Sequence, residues 1–201
     1  MSVRTRRQRP RAQVRGFTLI EIMIVVAIIG VVAMLAIFGV RRWIASAHIA
    51  EATEMVQAIG GAQEQYRADV GNYANVTVAN SIADSALCPA YTPGGQAPWD
   101  SYNCPAAVAH SWTKLNVVSS KPLSYGFGTW AGAANTDPST SAIPSITIKG
   151  SVLNYNTMAG GVPSTPYYAV IARGDLNKNG VYATVFYATF ARTVITDNDN
   201  E

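Results

Sequence analysis

Between Arg15 and Val40 the chain reads RGFTLIEIMIVVAIIGVVAMLAIFGV, and the 24 residues that follow Gly16 carry a single charge, Glu21. A run of that length and character crosses a bilayer core of about 30 Å as one helix. Arg4, Arg6, Arg7, Arg9, Arg11 and Arg15 precede it with no acidic residue among them, so the positive-inside rule holds the N-terminus in the cytoplasm. Gly16, the last small residue of the basic stretch, lies before the apolar segment and not after it. A cut at that point leaves the apolar helix on the mature chain.

The formal net charge of +3 belongs to this leader. Without its six arginines, nine basic residues face 12 acidic ones, and from Trp43 onward seven face 11. No basic run follows a phosphate backbone, so direct nucleic-acid binding is not expected. About 160 residues lie beyond the spanning segment, enough for one domain with a real core.

Cys88 and Cys104 sit beyond the membrane segment in a polar, turn-rich stretch, each followed by proline. Outside the cytoplasm an oxidising compartment favours a disulfide between them, with two free thiols as the alternative. A secretory signal competes with the anchor reading because Ala45-Ser46-Ala47 has the small-x-small shape of a cleavage site. Against it, the apolar run exceeds a signal's core and Arg41-Arg42 intervenes.

Gly16-Phe17-Thr18-Leu19-Ile20-Glu21, continued by Ile22-Met23-Ile24-Val25-Val26-Ala27-Ile28-Ile29-Gly30, resembles the class III signal of type IV pilins and type II secretion pseudopilins. The likeness covers about the first quarter of the chain and leans to the IVa side of the family. It implies an α+β fold, a long N-terminal helix packed on an antiparallel sheet. Cleavage between Gly16 and Phe17 by a prepilin peptidase and N-methylation of Phe17 are implied as well. So are a stay in the bacterial inner membrane with the head in the periplasm, and transfer by an assembly platform into an extracellular filament. Phe38 stands where many major pilins carry a helix-kinking proline, a departure from the pattern.

Glu21 is the one charge at membrane depth, where an ionised group costs a few kcal/mol and is usually paired. Processing creates an α-amine on Phe17, and Glu21 of one subunit could neutralise the amine of the next, a role the resemblance also implies. Pairing with its own N-terminus, or a place near the headgroups, is the alternative.

Beyond the membrane segment, Ile44, Ala47, His48, Ala52, Met55, Val56, Ile59, Ala62 and Tyr66 recur every three or four residues. Glu51, Glu54, Gln57, Glu64 and Arg67 take other faces. The helix therefore continues, amphipathic, from 41 to about 70 with Gly71 as its stop, a total of about 80 Å at 1.5 Å per residue. Gly60-Gly61 weakens it locally. Tyr66-x-x-Asp69-x-Gly71-x-Tyr73 is similar to the helix exit of several pilins and pseudopilins. A capped end with two packing tyrosines explains it equally.

Residues 71–201 then form the head: a connection over 74–122, with the cysteines as its staple, and strands over about 124–192. The strands expected are Ser124–Trp130, Ser145–Tyr155, Tyr167–Arg173 and Val181–Arg192, separated by Pro, Gly and Asn breaks. The last is apolar on both faces, so one face is expected to meet the helix.

Asp175-Leu176-Asn177-Lys178-Asn179-Gly180 matches the opening of a calcium loop, with Asp175, Asn177 and Asn179 as ligands. Phe186 stands where the closing Glu belongs, and Asn-Gly is also a hairpin signal. A plain hairpin and a weak calcium site both stay open, and no other cofactor is expected. Two histidines and two cysteines are too few for zinc with the cysteines bridged. No nucleophile elbow or paired-carboxylate spacing suggests an enzyme. Trp99, Trp112 and Trp130 serve either packing or a sugar-binding surface.

The expectation is a structural subunit that polymerises with itself and other pilins, contacts lipid before assembly, and supports adhesion, motility or DNA uptake. A type II secretion pseudopilin or a minor pilin are the alternatives, and a single-pass anchored binding domain is a remote one.

Overall fold

In the computed structural model, residues 16–77, 81–89, 93–99, 104, 109–139, 143–191 and 193–198 are described. Helix α1 occupies Leu19–Val70. It ends at Gly71, whose φ of +86° suits glycine and whose N–H donates to the Arg67 carbonyl at 2.8 Å. This is a left-handed helix cap placed where the sequence puts it. The chain divides into two units, residues 1–41 and 42–201, and α1 contributes to both. The leader and its arginines lie outside the described residues.

In the larger unit the strands are β1 (Gly126–Gly132), β2 (Thr147–Ile148), β3 (Ser151–Val152), β4 (Tyr167–Gly174), β5 (Ala183–Ala188) and β6 (Ile195–Asp197). Four of them form an antiparallel sheet in the order β1-β4-β5-β6, and β2-β3 is a separate hairpin. One face of the sheet packs on α1, where Ala52, Met55, Val56 and Ile59 bury with Tyr168, Val170, Ala172, Ala183 and Val185. On the other face Ile143, Ile146, Ile148 and Tyr155 bury with Trp130, Tyr167, Ala169, Ile171 and Phe186. The two apolar faces of β5 thus each have their own layer. The α+β arrangement expected from the sequence is present.

Gly60 lets the helix approach the sheet. The Tyr168 hydroxyl donates to the Gly60 carbonyl at 3.3 Å, and a Cβ at this position would stand 3.0 Å from that same oxygen. Ile44 and Ala47, expected on the buried face, are exposed, while Ala45 and Gln63 are buried. A buried glutamine was not expected from its polarity. It is held because its amide finds three partners, two on Ala74 and one on Thr129.

Two strand expectations need correction. Ser145–Tyr155 is not one strand: Lys149 and Gly150 both take positive φ, 51° and 75°, and turn the chain back as a short hairpin. Asn154 then accepts from the Thr157 N–H at 3.0 Å and caps α3 (Tyr155–Ala159). The final strand spans Ala183–Ala188 and stops short of its expected end, Arg192 itself lying outside the described residues, and β6 forms the sheet edge. The 74–122 connection holds a 3-10 turn at Asp84–Ala86 and one helical turn, α2 (Ala109–Trp112). It is also bonded along β1. The Thr77 N–H donates to the Thr129 carbonyl at 3.0 Å, and Cys88 exchanges both backbone bonds with Phe127 at 2.9 and 2.7 Å.

The three tryptophans of the head are all buried, which settles packing over a sugar-binding surface for them. Trp99 meets Trp112 edge-on at 5.0 Å and donates from Nε1 to the Val117 carbonyl at 2.7 Å.

Candidate functional site

The apolar half of α1 is the one described segment whose chemistry requires something outside the chain. Its apolar stretch is unburied, and among the described residues α1 is the one helix long and apolar enough to cross a membrane. From Phe17 to Val40 every described side chain is exposed; that of Phe38 lies outside the described residues. Apolar surface on this scale is stable only against lipid or other protein.

The start of the helix is built by a device the spacing contains but hydropathy does not show. The Thr18 hydroxyl oxygen accepts from the Glu21 N–H at 3.3 Å, and the Glu21 carboxylate accepts from the Thr18 N–H at 3.5 Å. This reciprocal pair is a capping box, read from Thr-x-x-Glu before an apolar run. Glu21 therefore has a local use: it satisfies an orphan amide and places negative charge at the positive end of the helix. Its carboxylate is exposed and bonded to the amide of Thr18, the residue next to Phe17, which is itself 78% exposed, and a Cβ at Gly16 would meet no described atom within 4 Å. The Gly16–Phe17 bond thus lies at a helix start where both residues are exposed among the described residues.

The remaining candidates fall into the head. Cys88 and Cys104 are joined, with their Cα atoms 4.8 Å apart, and both are buried. Tyr73 packs edge-on against Tyr168 at 4.7 Å, donates to Glu64 at 2.9 Å and accepts from Arg67 at 2.8 Å. Burial, then the bond to Glu64, raises its pKa. The Tyr66–Tyr73 segment is thus a packed and capped helix exit.

Asp175, Asn177 and Asn179 lie in the loop joining β4 to β5, whose register places Gly174 opposite Ala183. This is a hairpin with a wide loop, not a two-residue turn. The Asp175 carboxylate is buried and accepts from the Asn179 and Gly180 N–H groups at 3.1 and 3.0 Å, while Asn179 accepts from Val181 at 2.6 Å. The three side chains are brought together by backbone capping. Among the described residues no group of three or more His, Cys, Asp and Glu is arranged to hold a metal. His48 approaches Glu51 at 3.8 Å on α1. The side chain of His110 lies outside the described residues.

Comparison with known proteins agrees with the reading of the N-terminal segment. Residues 11–37 match the family described as the prokaryotic N-terminal methylation motif. The chain is also similar to the fimbrial protein EcpC of Eikenella corrodens, 38% identical over 69 residues. That alignment covers 34% of this chain and 45% of the relative, so the chain spans less than half of the relative's length. No solved structure matches the chain. The class III signal expected from Gly16 to Gly30 is therefore present.

Proposed function

We propose that this chain is a structural subunit of a type IV pilus-like filament. The observation that carries the proposal is a methylation motif over residues 11–37 that runs into the exposed, apolar first half of α1. The likeness to a fimbrial protein supports the same reading. In this reading a prepilin peptidase cuts between Gly16 and Phe17 and methylates the Phe17 amine, which stays positive and becomes more apolar. The helix waits in the inner membrane with the head in the periplasm. An assembly platform then moves it from lipid into a bundle of like helices, where packing replaces lipid contacts. Glu21 of one subunit neutralises the Phe17 amine of its neighbour and sets the register. The role is structural, not catalytic, and serves adhesion, motility or DNA uptake.

Mass spectrometry of filaments sheared from the cell surface tests this. Abundant chain beginning at N-methyl-Phe17 is the expected result. Trace amounts would make it a minor pilin, and mature chain kept in the cell would make it a secretion pseudopilin. An uncut N-terminus would overturn the proposal.

A further inference from the structure

On the sheet face away from α1, the cross-strand register aligns Gly126, Arg173, Thr184 and Asp197 in one row from β1 to β6. Residues directly opposite in antiparallel strands share a face, so this row is the polar end of the layer that buries Trp130, Ile171 and Phe186. Between the row and the β2–β3 hairpin lies an open groove of about 600 Å³, with Ser145, Thr147 and Lys149 also on its wall. That is the size of a small-molecule site.

Arg173 is its central group. The guanidinium lies 3.7 Å from the Tyr182 ring centroid and donates one N–H to the Ile82 carbonyl at 2.7 Å. The Tyr182 hydroxyl is in turn fixed by donating to Asp84 at 2.9 Å. Stacking and one hydrogen bond hold the fork in place but use only part of its five donors. Among the described residues no carboxylate forms an ion pair with it, although it is half-buried. Asp197, across the row, is not within ion-pair distance of it; its carboxylate is turned to the Lys149 and Asn198 N–H groups, at 2.8 and 3.1 Å. A half-buried guanidinium with free donors calls for an anion, and its planar fork matches a carboxylate. The hydroxyl-bearing residues around it, Thr184 among them, suit a sugar.

We infer that this groove binds an acidic saccharide, with Arg173 engaging the sugar carboxylate and Lys149 adding a second positive charge at the wall. The inference concerns the head alone and does not depend on filament assembly.

The test is calorimetric titration of the full chain in detergent micelles with galacturonate, galactose and inorganic phosphate. Galacturonate is expected to bind, with galactose and phosphate each about tenfold weaker or more, the size of a lost charge-assisted hydrogen bond. Arg173→Gln is expected to remove about tenfold or more of the galacturonate affinity. Because that change also frees the Ile82 carbonyl, Lys149→Gln, at an exposed position, is measured beside it and is expected to weaken binding severalfold. No binding of galacturonate, equal binding of galactose or phosphate, or undiminished affinity in both variants would overturn the inference.

Discussion

Gln63 and Ala74 exchange two hydrogen bonds: the Gln63 amide nitrogen donates to the Ala74 carbonyl at 2.8 Å, and the Ala74 N–H donates to the Gln63 carbonyl oxygen at 2.9 Å. A second N–H of the same amide reaches the Thr129 hydroxyl at 2.9 Å. A side chain of α1 thus closes the backbone of the segment leaving it and fixes that segment against β1. Gln63→Leu leaves the Ala74 amide and carbonyl buried without partners. A loss of about 3 kcal/mol is expected in denaturant unfolding of the full chain in detergent. A change under about 0.5 kcal/mol would mean that the pairing contributes nothing to stability.

The adjacent glycines of α1 are expected to respond with opposite sign. A Cβ at Gly60 meets the Tyr168 hydroxyl at 3.0 Å, whereas nothing lies within 4 Å of one at Gly61. Gly61→Ala gains helix propensity alone and is expected to stabilise by up to about 1 kcal/mol. Gly60→Ala gains the same amount but displaces a buried ring, for a net loss of about 1 kcal/mol. Thermal unfolding of the two variants side by side checks the order; equal shifts would show that the helix does not need the gap.

Reduction separates the staple from the packing around it. Opening the Cys88–Cys104 bond, which closes a 16-residue separation, is expected to lower stability by about 3 kcal/mol. Intact-mass measurement before and after reductant should show a gain of two hydrogen atoms, one on each sulfur, and alkylation of the unreduced native chain should label no thiol.

Glu21 carries two roles that a conservative change can part. In the proposed filament its charge meets a neighbouring amine; in the isolated chain its carboxylate completes the capping box with Thr18. Glutamine still caps but carries no charge. Glu21→Gln is therefore expected to leave processing at Phe17 intact and to abolish filaments. Normal filaments from this variant would assign Glu21 to capping alone.

Alkali tests the two sheet layers. Burial raises the pKa of Tyr155, and burial followed by the neighbouring Tyr187 raises that of Tyr168. An unfolded tyrosine ionises near pH 10, so the folded chain holds these protons longer than the unfolded one. Their contribution to stability is whole below about pH 10 and is lost as pH climbs from there toward the folded values. Phenolate absorbance should show these tyrosines ionising only as near-ultraviolet dichroism is lost. Ionisation of all ten tyrosines near pH 10 with dichroism intact would contradict their burial.

Hydropathy made the apolar half of α1 legible because an uninterrupted apolar run has one physical solution. The stop at Gly71 was legible because left-handed backbone needs glycine. Ala52, Met55, Val56 and Ile59 were legible from helical spacing, and the two-faced β5 from its composition. Gln63 was not, since its burial depends on partners 11 and 66 residues away. The turn at Lys149-Gly150 was signalled by the glycine alone, which the apolar and β-branched residues on both sides masked, and β6 was hidden because three residues cannot show a period. The Thr18–Glu21 box was visible in the spacing but was overshadowed by the charge of Glu21. The groove beside Arg173 exists only through register, which no local pattern displays.

A strand edge left open invites another chain to pair with it, a hazard that grows with crowding. Here the outer edge of β1 is occupied by Thr77 and Cys88, bonded to Thr129 and Phe127. On the opposite side β6 is three residues long, with Asp197 held by the Lys149 amide. The head is thus protected against strand-to-strand aggregation. Many copies can be stored side by side at high density without their sheets fusing, which leaves side-chain surfaces to decide which contacts form.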